Sequence, residues 1–270
     1  MKPVCLVVGA GAGIGGAVGT RFALADIDKI KPNAESSQAP VGYHSVLCRR
    51  SDQKGLDRLV AGIEEAGGTA SGYLLNAIEE DALENLVKVV EEKDGPIEVV
   101  IFNLGAQIGD RSLADTSYKA FRMGWQMATF ALFRVASSVC PLMVERGKGT
   151  ILVTSATAAV RGNAGQHSHA AAMGGRRMLC QSLNAEFGPK GIHVIHALID
   201  GAVDAPDTLG KMLGPERFQQ LRETRGLEND GLMLPEKIAD TYYHLAQQHR
   251  SVWTHEIDMR SFSDRPWWNH

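Results

Sequence analysis

The stretch from Thr154 to Arg177, TSATAAVRGNAGQHSHAAAMGGRR, carries side chains that could act on a bound molecule. The stretch holds two histidines, and an imidazole titrates near pH 6.5 and is the side chain most often used as a general acid or base. Its serine and threonine hydroxyls could hydrogen-bond to an oxygen of the same molecule. The stretch therefore offers groups that suit acid–base chemistry.

Short β-rich runs alternate with amphipathic helical patterns along the chain, and this order indicates which elements position these residues. The predicted strands are Pro3–Val8, Tyr43–Cys48, Gly72–Leu75, Glu98–Asn103, Thr150–Thr154, His193–Ile199 and Val252–Asp258. The predicted helices are one after the first strand, then Asp52–Ala66, Glu79–Glu92, Tyr118–Arg146, Ala170–Phe187 and one that begins at Pro235. Such alternation predicts the α/β class: a Rossmann-type doubly wound, mainly parallel seven-stranded sheet with helices on both faces.

The 270 residues suit one dinucleotide-binding-type domain, and two segments depart from its regular alternation. Residues 26–42 contain two prolines and neighbouring serines, which is typical of a surface insertion. Residues 204–234 follow the sixth predicted strand at its carboxyl end, where open α/β sheets bind ligands. We interpret this second segment as a candidate lid over the substrate.

Composition excludes several kinds of partner. The net charge of −3 provides no long-range attraction to nucleic acid or to an acidic membrane surface, and no continuous apolar run approaches the ~20 residues of a membrane span. The four cysteines are scattered and read as buried thiols of a reducing compartment, with no metal-ligand spacing. We expect a cytoplasmic protein that binds a small-molecule substrate, without a nucleic-acid, membrane or metal partner.

A glycine-rich turn, GAGAGIGG, lies between the first predicted strand and its helix. A phosphate can approach a backbone closely where no Cβ intervenes, and it then meets the free N–H groups at the helix start. Gly9, Gly13 and Gly15 would provide the turn, the close approach and the tight packing of helix on strand. The context favours dinucleotide binding over a purely structural turn.

The residues that follow the next strands indicate which dinucleotide binds. Arg49 and Arg50 end the second strand, where proteins that prefer NAD(H) place an acidic residue. Guanidinium groups pair well with phosphate, so the pair favours NADP(H), unless both arginines are simply solvated. Asn76 could reach the adenine ring, and Asn103 and Gly105 would pass beside the adenine ribose.

Four segments together resemble the short-chain dehydrogenase/reductase family. VGAGAGIG at 8–15 resembles its TGxxxGIG signature, and FNLG at 102–105 resembles its NNAG. Ile199-Asp200-Gly201 stands where the family has a Pro-Gly pair, and GPKGIHV at 188–194 resembles the lead into its sixth strand. The resemblance implies hydride transfer with a small carbonyl or alcohol substrate, in a homodimer or homotetramer. It assigns cofactor contacts to Gly9, Gly11, Gly13, Ile14, Gly15 and Gly201.

The family works with an asparagine, a serine, a tyrosine and a lysine, and the resemblance places these at Ala128, Ala156, His169 and Met173. All four are changed. His169, at the tyrosine position, could still transfer a proton, and Ser155 and Thr157 flank the serine position, so we predict that His169 acts with help from Ser155 or Thr157. An alanine offers no hydroxyl, and a thioether neither donates a hydrogen bond nor lowers a neighbour's pKa as an ammonium does. Three readings stay open: an oxidoreductase with altered residues, an inactive nucleotide-binding or scaffold protein, and a lyase- or isomerase-type enzyme.

Overall fold

Seven strands form one parallel sheet in the computed structural model, which describes residues 1–25, 42–105, 112–226 and 228–269. The strands are β1 (Val4–Val8), β2 (His44–Arg49), β3 (Thr69–Leu74), β4 (Ile97–Phe102), β5 (Gly149–Ala156), β6 (Ile192–Ile199) and β7 (Glu256–Met259). Their order is β3-β2-β1-β4-β5-β6-β7, and every neighbouring pair is parallel. The predicted Rossmann-type doubly wound fold is confirmed. Of the predicted insertion at 26–42, all but Gly42 lies outside the described residues.

Nine α-helices connect the strands over the described residues. They are α1 (Ile14–Ala23), α2 (Gln53–Glu65), α3 (Ala82–Lys93), α4 (Tyr118–Trp125), α5 (Ala131–Arg146), α6 (His167–Phe187), α7 (Lys211–Leu213), α8 (Pro215–Arg225) and α9 (Pro235–Ala246). The helix predicted from Ala170 begins three residues earlier, since the N–H of Ala170 already donates to the carbonyl of Gln166 over 2.8 Å. His169 therefore lies within the first turn of α6.

Helical structure runs from α4 through to α5, but Gln126–Phe130 between them forms a π-helical turn. Such turns are rare and occur often at functional sites. By length and composition, residues 118–146 would suffice to cross a membrane, although half of the most apolar stretch is buried within the domain. Leu132, Val135 and Val139 belong to the core, so this helix is accounted for as a core helix.

The core lies on both faces of the sheet because successive side chains of a strand point to opposite faces. On β1, Val4 and Leu6 pack in one cluster with residues of α3, α5 and α6. Cys5 and Val7 pack in another with residues of α1, α2 and α9. Both faces are therefore covered by helices, which leaves the carboxyl ends of the strands as the open edge.

Candidate functional site

A cavity of about 560 Å³ lies at the carboxyl ends of the strands, beside β1 and β4 where the strand order reverses. This switch point is the usual ligand site of open α/β sheets. Most of the predicted site residues line the cavity, and these are Gly9, Gly11, Gly13, Ile14, Gly15, Arg49, Arg50, Asn76, Asn103, Gly105, Ser155, Ala156, His169 and Met173. Thr157, Gly201 and Ala128 are not part of its lining.

The glycine turn joins β1 to α1 at one end of the cavity. Gly9 has φ +105°, and a Cβ there would lie 2.7 Å from the carbonyl oxygen of Asn103. A Cβ on Gly15 would lie 2.2 Å from the carbonyl oxygen of Gly9. The Asn103 side-chain amide donates to that same Gly9 oxygen over 3.0 Å, which fastens the turn to the end of β4. Larger residues would displace the turn.

The donor groups at this end already hold an anionic oxygen. The Ala12 N–H donates to Asp207 Oδ2 over 2.8 Å, and Arg49 Nη2 lies 3.4 Å from the same oxygen. Helix α1 begins beside them with no side-chain cap on its first turn. Free N–H groups at a helix start and a guanidinium are the donors that suit a phosphate. The residues present therefore fit the phosphate groups of a dinucleotide.

The other predicted contacts of the nucleotide differ in how they are engaged. Arg50 is exposed at the cavity wall. The side-chain amide of Asn76 donates to the Glu79 carboxylate over 2.9 Å, so one of its two N–H donors is already used within the loop after β3. Gly201 lies outside the lining, and a Cβ there would approach the Asp264 carboxylate at 2.9 Å. The chain next meets the cavity at Val203.

His169 and Ser155 both line the cavity, away from the glycine turn along the strand order β1-β4-β5. His169 is half-buried on α6, and Ser155, near the end of β5, is only 5% exposed. Ser155 Oγ lies 3.9 Å from Met173 Sδ. Strand β5 ends at Ala156, and Thr157 begins a turn of 3-10 helix that leads away from the cavity. Of the two predicted hydroxyl residues, Ser155 therefore lines the same cavity as His169, and Thr157 does not.

Three of the four family positions lie together in a small apolar cluster. Ala128 and Met173 are buried there, and Ala156 packs against them. The remaining members of the cluster are also alanines, at positions 158, 159 and 172. The space that the resemblance assigns to an amide, a hydroxyl and an ammonium is therefore filled by methyl groups and a thioether. His169 alone offers a titratable group among the four positions.

Arg176 is a buried cation at the same end of the cavity, and the sequence predictions gave it no leading role. Its guanidinium donates to three backbone carbonyl oxygens: Ala128 at 3.1 Å, Thr154 at 2.5 Å and Leu104 at 2.8 Å. Burial lowers the pKa of Arg176 to about 10, so it remains charged at neutral pH. The signal in the sequence was its position one turn after Met173, on the same face of α6.

The predicted lid at 204–234 is only partly at the cavity. Its residues Ala205, Asp207, Thr208 and Lys211 line the cavity, as does Val203 just before it, whereas α8 does not. Two methionines from α4 and the π-turn, Met123 and Met127, complete the apolar end. The sequence analysis singled out neither these lid residues nor the two methionines, because composition does not reveal which side chains of a loop or helix face a cavity. Over the described part of the chain, no group of three or more acidic, cysteine or histidine residues could hold a metal ion.

The family model for short chain dehydrogenases matches residues 37–209, more than half of the chain. The short-chain reductase protein NovJ of Streptomyces niveus is 30% identical over 258 residues, covering 94% of this chain and 91% of the relative. A short-chain dehydrogenase from Rhodopseudomonas palustris is 30% identical, with a TM-score of 0.75 over 97% of this chain and 100% of that one. A variant of actinorhodin polyketide ketoreductase, solved with NADPH, has a TM-score of 0.79 at 22% identity over 96% of each chain.

Proposed function

This chain belongs to the short-chain dehydrogenase family, and from that premise we propose that it is an NADP(H)-dependent oxidoreductase acting on a small carbonyl or alcohol substrate. The observation that carries the proposal is one cavity that combines two sets of groups. The Ala12 N–H and Arg49 are hydrogen-bond donors that suit a phosphate, and His169 and Ser155 line the same cavity away from them. Reduction of a carbonyl needs both a hydride donor and an acid. The two ends of the cavity fit these two needs.

The proposed choice of NADP(H) over NAD(H) rests on the end of β2. Arg49 and Arg50 line the cavity there, and Asn103 fixes the adjoining turn. The Ala12 N–H and the two guanidinium groups would hold the phosphates, because charge-assisted hydrogen bonds to phosphate are short and strong. When bound, the cofactor would supply the hydride that reduces the substrate's carbonyl carbon. The actinorhodin ketoreductase, which shares the fold, was solved with NADPH.

His169 would supply the proton in this scheme. A protonated imidazole donates a hydrogen bond to the carbonyl oxygen and transfers its proton as negative charge develops there. An imidazole can gain and lose a proton without a cationic neighbour, so this scheme needs no lysine. Ser155 would orient the carbonyl oxygen by donating from its hydroxyl. Arg176 would keep the ends of β4 and β5 and the π-turn at fixed positions around them.

Replacement of His169 by alanine tests the proposal. We expect turnover of a carbonyl substrate panel with NADPH to fall about 100-fold or more, since general acid catalysis contributes roughly 10²–10⁴-fold. Binding of NADPH, followed by its fluorescence, should change little. Ser155→Ala should lower turnover less, and Thr157→Ala, outside the cavity lining, is the matched control that should leave it unchanged. Unchanged turnover in His169→Ala would refute His169 as the acid.

A non-catalytic nucleotide-binding protein is the second candidate, and the apolar cluster favours it. Three positions at the reaction end contribute only methyl groups and a thioether. Such apolar packing stabilises the fold, but it provides no polar side chain that could act on a substrate. If the wild-type chain binds NADPH tightly but turns over no carbonyl or alcohol in a broad panel, this second candidate replaces the first.

We also propose that the chain forms homodimers or homotetramers through the outer face of α4 and α5. Trp125, Phe130 and Phe133 are 40–50% exposed there, and their rings stack at centroid distances of 5.6 and 6.3 Å. A stacked aromatic face of this kind is typical of interfaces. A second copy would cover it with the same rings. Light scattering after chromatography should show a smaller assembly for Phe133→Glu.

The proposed location is the cytoplasm. Cys5, Cys48, Cys140 and Cys180 are all buried and free. Burial raises the pKa of the Cys140 thiol to about 12, which keeps it in its unreactive thiol form. Buried reduced cysteines suit a reducing compartment. Titration of the folded and unfolded protein with a thiol reagent should find four reactive thiols only after unfolding.

A further inference from the structure

The segment from Val203 to Lys211, which we call the inner lid, lies directly on the glycine turn. Asp207 Oδ2 accepts the Ala12 N–H at 2.8 Å and lies 3.4 Å from Arg49 Nη2. Its other oxygen, Oδ1, lies 2.8 Å from Lys211 Nζ. The carboxylate thus has a built set of donors from three separate parts of the chain.

These donors are the ones that the proposed function assigns to a phosphate of the cofactor. A carboxylate oxygen and a phosphate oxygen carry similar charge and accept the same N–H and guanidinium donors. One N–H cannot serve both at the same place. Occupation by Asp207 and occupation by a cofactor phosphate are therefore mutually exclusive at the Ala12 N–H.

The inner lid also fills the space above the turn. A Cβ on Gly13 would lie 2.9 Å from the Cβ of Ala205, and a Cβ on Gly11 would lie 3.4 Å from Asp207 Oδ2. The lid and the turn are consequently in van der Waals contact. No phosphate can lie between them until the inner lid moves outward.

We propose that Asp207 is a gate residue that determines which ligands enter the cavity, because its carboxylate competes with a cofactor phosphate for the Ala12 N–H and for Arg49. The inference rests on the proposed function. A ligand opens the gate by placing an anionic oxygen where Asp207 was. Lys211 then loses its partner and becomes available to the incoming phosphate.

The charge of Asp207 persists under ordinary conditions. The hydrogen bond from Lys211, followed by that from the Ala12 N–H, holds the pKa of Asp207 below its usual value. The carboxylate therefore stays ionised at neutral pH and remains a good match for the donors. A nucleoside that lacks phosphate offers nothing to replace it, so the gate selects for phosphate-bearing ligands.

Asp207→Asn tests the gate, because an amide keeps the size of the side chain and removes its charge. We expect NADPH to bind about three- to ten-fold more tightly to the variant, as titrated by cofactor fluorescence. A gain confined to NADPH would assign the donors to the 2′-phosphate, and an equal gain for NADH would assign them to the diphosphate. Either result supports competition by Asp207.

The matched control is Asp204→Asn, which makes the same change at a nearby aspartate of the inner lid. Asp204 pairs with Arg222 at 2.7 Å and is outside the cavity lining. It should leave both affinities unchanged. A second measurement needs no cofactor: hydrogen exchange at the Ala12 amide should be faster in Asp207→Asn than in the wild type. Asp207→Ala should behave in the same way if the lid folds normally.

Two outcomes would count against the gate and can be told apart. If the wild type binds NADPH, but Asp207→Asn changes neither the affinities nor the exchange of the Ala12 amide, the gate is overturned and the proposed function stands. If neither protein binds NADPH or NADH, the proposed function and the competition are overturned together. Binding by the variant alone would support both.

Discussion

The glycine turn and the apolar cluster around Met173 lie at opposite ends of one cavity, and they offer a ligand very different groups. At the turn, the Ala12 N–H and Arg49 are polar donors that already hold a carboxylate. At the cluster, Ala156 and Met173 line the cavity with apolar surface, and Ala128 packs behind them. The same cavity is thus lined by hydrogen-bond donors at the turn and by apolar side chains at the cluster.

The difference lies in what the packing of each region requires of its residues. The turn needs glycines because backbone atoms lie where a Cβ would be, and that requirement also belongs to the packing of β1 on β4. The cluster around Met173 requires only apolar side chains that fill its space. A larger residue at Gly9 or Gly15 instead disturbs the backbone of the turn itself.

Removal of Arg176 should have the largest effect, because this side chain joins the two ends. It donates to Leu104 beside the turn and to Ala128 and Thr154 beside the cluster. Arg176→Met should lower the free energy of unfolding by about 3–5 kcal/mol, since each buried carbonyl left unpaired costs roughly 1–3 kcal/mol. Urea denaturation measures this change.

Arg58→Met, an exposed site on α2, is the control and should change the unfolding free energy by less than about 0.5 kcal/mol. Arg176→Lys should fall between the two, because an ammonium keeps the charge but cannot span three carbonyls. A loss below about 1 kcal/mol in Arg176→Met would show that the two ends of the cavity are held together by other contacts.

Gly15→Ala should separate the ends by damaging only the turn. Its Cβ would lie 2.2 Å from the Gly9 carbonyl oxygen and 3.0 Å from Asn103 Nδ2, so the turn must shift. We expect NADPH affinity to fall about 100-fold, which corresponds to about 2.7 kcal/mol. Calorimetric titration measures it. Gly62→Ala is the control, since nothing lies within 4 Å of its added Cβ, and full NADPH affinity in Gly15→Ala would place the cofactor elsewhere.

Acid pH should lower the free energy of unfolding through the buried side chain of His196. Of the three changes in free energy expected here, this is the smallest. His196 lies on β6 beside Val153, is fully buried, and accepts or donates through Nδ1 at 2.9 Å from the Glu256 carboxylate. Burial lowers the pKa of His196 from 6.5 to about 4. The unfolded chain therefore binds this proton first, and stability present above pH 6.5 is lost as the pH falls toward 4.

Between pH 7 and pH 5 the wild type should lose about 2 kcal/mol of unfolding free energy through this group. His196→Gln should remove that part of the slope while keeping a hydrogen bond to Glu256. The pKa of Glu256 is held below its usual 4.5, mainly by the Arg177 hydrogen bond, so its own titration falls below this window. Equal slopes in both proteins would mean that the pKa of His196 is the same in the folded and unfolded states, which would contradict the lowering by burial.

Much of the fold was predictable because its causes are local. The alternation of short β-rich runs with amphipathic helices predicted all seven strands, and the parallel sheet follows from that alternation. Boundaries were less accurate. The strand predicted at Val252–Asp258 is β7 at Glu256–Met259, because residues 250–252 form a turn of 3-10 helix instead. Hydrogen bonds close such turns, and apolar composition does not report them.

The sequence by itself determined the glycine turn, the two arginines at the end of β2 and the alanines and methionine of the apolar cluster, since residue identity and local backbone geometry suffice for these. Only the tertiary structure decided that Asp207 lies on the Ala12 N–H, 195 positions away in the chain. It also decided that Ser155 lines the cavity while Thr157 does not, and that Arg176 reaches three carbonyls. The physical reason is that a side chain faces the cavity only if its strand ends, or its loop packs, at the right place. Contacts between distant parts of the chain decide this, and no local sequence pattern encodes them.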